Sequence, residues 1–66
     1  MAYKEYRRRM ERQQWYIKRE CTGSADELAK KIGISRRTLF YYLEILRDEG
    51  SDIKFNRIRN TFYYVE

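Results

Sequence analysis

Apolar positions in the first third of the chain fall at alternating three- and four-residue steps. Tyr3, Tyr6, Met10, Gln13 and Ile17 line one helical stripe, with Gln13 its polar member. No glycine or proline interrupts Tyr3 to Glu20, so "RRRMERQQWYIKRE" also favours helix by propensity. "CTGS" breaks the period at Gly23. Ser24 and Glu27 then spell a capping box, in which the serine oxygen takes an amide three residues on and the glutamate reaches back. Leu28, Ala29 and Ile32 give a short second helix its apolar face, and Gly33 closes it. After Ile34, Ser35 caps a third helix that Gly50 ends; Leu39, Tyr42, Leu43 and Leu46 share its inner face, with Ile45 at the margin. The expected helices cover about residues 3–20, 25–32 and 36–49.

Beyond Gly50 the period shortens to two. Ile53 and Phe55 alternate with Asp52, Lys54 and Asn56, as in a half-exposed strand. "NRIRN" is a polar turn without glycine, and "TFYYV" is rich in strand formers, with Phe62 and Tyr64 on one face and Tyr63 and Val65 on the other. This pattern predicts a β-hairpin over about residues 52–65. The expected fold is mainly α with a small β-hairpin, in one domain over residues 1–66.

The third helix carries a conflict. Placed on a helical wheel, Phe40, Tyr41, Glu44 and Arg37 lie opposite the leucines, with Arg36 at the border. Phe40 and Tyr41 therefore point outward although Tyr42 between them and Leu43 belongs to the core. Arg36 and Arg37 occupy the first turn, and Asp48 and Glu49 the last, each placement opposing the helix dipole at about 0.3–1 kcal/mol. Local rules broken together mark a candidate functional site. A phosphate at that N-terminus would reverse the sign for the arginines, meeting their guanidiniums and the free amides together.

Charge and composition narrow the chemistry. The net charge is +5, and residues 1–21 hold seven basic against three acidic groups. That balance fits a polyanionic partner. The single cysteine, Cys21, fits a reducing compartment and a buried apolar role. Histidine is absent, which removes a zinc site and any Cys-His or Ser-His nucleophile pair. The remaining carboxylates, lysines and tyrosines form no spaced constellation, so no catalytic residue, metal, cofactor or small-molecule substrate is expected. "MAYKEYRRRMERQQ" has charge without an apolar run behind it, and no stretch approaches membrane-spanning length; a cytoplasmic protein is expected.

Two short helices joined by a three-residue turn, the second opening with Ser-Arg-Arg-Thr, form the arrangement of a helix-turn-helix. The second helix of that motif enters the DNA major groove, where an arginine fork matches the two acceptors of guanine. From "ELAKKIGIS" through "RRTLFYYLEILRDEG" to "DIKF" and "TFYYV", about two-thirds of the chain resembles the winged helix-turn-helix domains of bacterial DeoR-like and biotin-repressor-like regulators. The resemblance implies a three-helix core with a hairpin wing. It implies a recognition helix presenting Ser35, Arg36, Arg37, Thr38, Phe40 and Tyr41. It also implies a wing tip from Asn56 to Asn60 against the backbone or minor groove, led by Arg57 and Arg59. Wing turns of that family often contain glycine, where this chain has two asparagines. Its repressors usually carry an effector or enzyme domain after the wing; were this chain complete at Glu66, ligand sensing would have no obvious home.

The leading expectation is therefore sequence-specific, non-catalytic binding of double-stranded DNA by a small bacterial or phage transcription regulator. The competing one is a protein-interaction adaptor anchored by Phe40 and Tyr41. A third is binding of RNA or DNA by shape, carried by "KEYRRRMER". Tyr3, Tyr6, Met10 and Trp15 give the first helix surplus aromatic and apolar surface, which either completes the core or forms a homodimer seam.

Overall fold

The computed structural model describes residues 2–65, with side chains from Lys4 to Val65. Three helices are followed by two strands: α1 (Ala2–Arg19), α2 (Ala25–Ile32), α3 (Arg36–Asp48), β1 (Ile53–Asn56) and β2 (Thr61–Tyr64). The layout is α+β, mainly helical, with the elements in the order the periodicities predict.

α1 is reinforced on its exposed side by ion pairs one turn apart, Arg7 to Glu11 at 3.4 Å and Arg9 to Glu5 at 3.1 Å. Such pairs contribute about 0.2–0.5 kcal/mol each. Its inner stripe buries Met10, Gln13 and Ile17, and half-buries Tyr6 edge-on against Tyr42, with ring centroids 5.3 Å apart. Met10 and Tyr6 thus complete the core, whereas Trp15 stays 50% exposed. The side chain of Tyr3, the other residue expected at a core or dimer seam, lies outside the described residues.

The capping box of α2 is formed as its spelling requires: Glu27 N–H donates to Ser24 Oγ at 3.2 Å, and Ser24 N–H to Glu27 Oε1 at 2.7 Å. Leu28, Ala29 and Ile32 are buried. Gly33 takes the left-handed conformation (φ 87°) that turns the chain toward α3, and Ser35 Oγ accepts from Thr38 N–H at 3.1 Å to start that helix. Leu39, Tyr42, Leu43 and Leu46 complete the inner face, and α3 stops at Asp48 with Glu49 as its cap.

β1 and β2 pair antiparallel, with Ile53 opposite Tyr64 and Phe55 opposite Phe62. Cross-strand partners share a face, so these four side chains point the same way. Ile53 and Phe62 enter the core and Tyr64 packs on it, while Phe55 is 39% exposed and meets the Phe62 ring at 4.9 Å. The turn works without glycine because its asparagines divide the task. Asn56 Oδ1 accepts from Arg59 N–H at 3.0 Å, and Asn60 takes the left-handed backbone (φ 55°).

Two features depart from the sequence reading. Cys21 is exposed rather than buried, because the chain reverses at Glu20 and carries it outward past the end of α1. Thr22, inside a segment that reads as a mere breaker, is wholly buried against β2. Its backbone N–H donates to Thr61 Oγ1 at 3.1 Å, and its hydroxyl accepts from Phe62 N–H at 2.8 Å. The α1–α2 connection is thereby fastened to the hairpin. Arg47 performs the matching task from α3, donating through Nε and a terminal nitrogen to the Ile53 carbonyl at 3.3 and 2.9 Å.

Candidate nucleic-acid interface

The outer side of α3 presents the residues the helical wheel placed there. Phe40 is 41% and Tyr41 64% exposed. Ser35 and Thr38 are occupied locally, since Ser35 Oγ donates to Thr38 Oγ1 at 2.9 Å while accepting the Thr38 amide. The proton of the Thr38 hydroxyl remains available to an outside acceptor. No acidic residue stands in the first turn of α3, and Arg47 in the last turn partly offsets Asp48 and Glu49.

The two arginines of that first turn differ. The Arg36 guanidinium lies 5.6 Å from the Phe40 ring centre, and its Nε lies 3.7 Å from Asp26 Oδ1. Arg37 has no ion pair among the described residues, and it shares the outer side with Tyr41 one turn on.

The wing shows the same division. Arg57 is exposed and has no ion pair among the described residues, whereas Arg59 is paired with Glu20 at 2.9 Å. Asn60 Nδ2 donates to Glu27 Oε1 at 3.3 Å. Glu27 thus serves its own helix cap and the wing turn together. These contacts hold its carboxyl below the ordinary carboxylate range: the Ser24 amide first, then the Ser24 hydroxyl, then Asn60, with Lys31 adding a smaller effect.

Because Arg36 meets Asp26 and Asn60 meets the adjacent Glu27, the first turn of α3 and the wing turn flank the first turn of α2. The six residues expected to contact DNA from this helix lie together on α3 and its N-cap, and Arg59 and Asn60 are tied back to the body beside it. Two things escaped the sequence reading. The carboxylates of Glu20, Asp26 and Glu27 each hold one of the candidate contact residues. The wing tip carries Ile58, 96% exposed between two arginines. Its signal was an isolated apolar residue inside an otherwise polar turn.

Three helices with a short turn between the second and third, an outward basic-aromatic face on the third and a basic hairpin beside it define a winged helix-turn-helix. Residues 8–64 match the family described as HTH domain, and the chain belongs to that family. No curated protein and no solved structure matches it. Among the described residues no helix is long and apolar enough to cross a membrane, and no group of three or more His, Cys, Asp or Glu is placed to hold a metal ion.

Proposed function

We propose that this protein is a sequence-specific regulator that reads double-stranded DNA, with α3 in the major groove and the wing on the backbone or minor groove. The observation that carries the reading is the placement of Arg37, without an ion pair among the described residues, one turn from exposed Tyr41 in the first turns of α3. In this arrangement Arg37 reads a base edge, Tyr41 lies against a thymine methyl or the sugar wall, and Arg36 and the Thr38 hydroxyl take phosphate. Arg57, Arg59 and Asn60 serve the wing. The chain acts without catalysis, in the cytoplasm of a bacterium or for a phage. So small a module covers few base pairs, and a second copy extends the site it reads.

Selection from a randomised duplex library at near-physiological salt tests this, repeated with Arg37→Ala and Tyr41→Ala. Wild type enriches a motif, and the motif shifts or relaxes in Arg37→Ala. Enrichment of no motif, with binding lost uniformly as salt rises, overturns base readout. The exposure of Phe40 and Tyr41 favours a second reading, a protein-interaction adaptor. That reading gains if Tyr41→Ala abolishes a protein contact while no duplex is bound.

A further inference from the structure

All three helices end on the same backbone motif. Each ends on a left-handed residue whose successor bonds five positions back: Cys21 to Tyr16 after α1, Ile34 to Ala29 after α2 and Ser51 to Leu46 after α3. The left-handed residue itself bonds three back at Glu20 and Gly50 and four back at Gly33. After α2 the motif's left-handed position falls on Gly33 (φ 87°) and after α3 on Gly50 (φ 105°); after α1 it falls on Glu20 (φ 54°). A left-handed backbone is free of strain for glycine and strained for a residue with a Cβ. Helix termination therefore does not account for a glutamate at this place.

Its carboxylate supplies the account. Glu20 holds the terminal nitrogen of Arg59 at 2.9 Å, and its side chain is 36% exposed against 64% for Arg59. The neighbouring wing residue, Asn60, is also left-handed and is held by Glu27. Arg37 and Arg57 have no such partner among the described residues.

We propose that Glu20 is a positioning residue that occupies Arg59 in the free protein as an internal substitute for phosphate, restraining the wing until a duplex displaces it. The proposal rests on the DNA-binding reading. Arg59 paired with a carboxylate is electrically neutral. When it moves to a phosphate, one counterion leaves the DNA, but the freed Glu20 recruits a cation in its place. The wing arginine then adds little net ion release, and affinity is held down by the strength of the pair being broken. Removing the carboxylate restores both terms.

Two substitutions separate charge from backbone. Glu20→Gln keeps the side-chain size and the backbone strain, whereas Glu20→Gly removes the charge and the strain together. Binding is measured across a salt series on the duplex selected by wild type and on a random-sequence duplex. Both variants are expected to bind about two- to fivefold tighter, with a salt slope steeper by about 0.9. Only Glu20→Gly is expected to raise the thermal midpoint. In an Arg59→Ala background, Glu20→Gln is expected to lose most of its effect on affinity and slope. Equal or weaker binding by both variants at an unchanged slope overturns the proposal while leaving the DNA reading intact. Absence of duplex binding by wild type at any salt overturns both.

Discussion

Thr22 and Thr61 meet in the buried seam between the α1–α2 connection and β2, their hydroxyl oxygens 3.1 Å apart. The pair closes a contact between segments that are 39 residues apart in the chain. It also gives the Phe62 amide its acceptor at 2.8 Å. Thr22→Val keeps the shape and removes that acceptor, leaving a buried N–H without a partner. The expected cost is about 1–3 kcal/mol, read from urea unfolding. Thr22→Ser restores the bond and should recover much of the loss. Equal stability of the valine variant and wild type would show that the seam holds by packing alone.

Gln13 presents the opposite case. Its side chain is fully buried in the face of α1, and among the described residues neither its Nε2 nor its Oε1 has a hydrogen-bond partner. An amide buried in this way is costly, and Met offers similar length without polar atoms. Gln13→Met is expected to raise stability by about 1–3 kcal/mol at an unchanged denaturant slope. A destabilised variant would mean that the amide has a partner in solution.

Glu27 couples stability to acidity. Its folded pKa lies below the ordinary value because Ser24 and Asn60 donate to the carboxylate. A depressed carboxyl pKa contributes stability that is complete above the unfolded value of 4.5 and disappears as pH falls through the folded value. Thermal unfolding between neutral pH and pH of about 3 should therefore fall more steeply for wild type than for Glu27→Gln. Parallel curves would remove Glu27 from the acid response.

Ile58 stands almost wholly in solvent at the wing tip. The fold gains nothing from it, so Ile58→Ser is expected to change stability by less than about 0.5 kcal/mol. If the wing enters the minor groove, an apolar tip between arginines contacts the groove walls or a base step. The same variant should then bind the selected duplex more weakly while its salt slope stays near that of wild type. Unchanged affinity would confine the wing's contribution to its charges.

Arg37→Ala and Tyr41→Ala remove side chains that the core does not use, so both variants should unfold within about 0.5 kcal/mol of wild type. Circular dichroism and thermal melting check this before any binding result is interpreted. A large loss of stability in Tyr41→Ala would point instead to its ring contact with Tyr42, at 6.3 Å.

Much of the fold was legible because each element announces itself by period and by cap. The α3 face was legible for the same reason: a wheel that puts Leu39, Leu43 and Leu46 inside must put Arg37 and Tyr41 outside. What escaped were the long-range polar contacts. Thr22 and Thr61 look like ordinary loop and strand residues until the chain folds back across them. The partners of Arg36, Arg59 and Asn60 were hidden too, since a charge count gives sign and number without saying which acid faces which base. Cys21 was misread because its exposure depends on the left-handed backbone of Glu20, which no pattern of apolar residues marks.

A hairpin of two strands ordinarily exposes a row of unpaired backbone groups along each outer side, an invitation to pair with another chain. Here β1 has its Ile53 carbonyl covered by Arg47, and β2 has its Phe62 amide covered by Thr22 and its Phe62 carbonyl by the Thr61 hydroxyl. The β1 flank is plugged at its first residue and the β2 flank at its second, each by a side chain rather than by a third strand. The wing can therefore stay thin enough to project while resisting sheet-to-sheet polymerisation between copies.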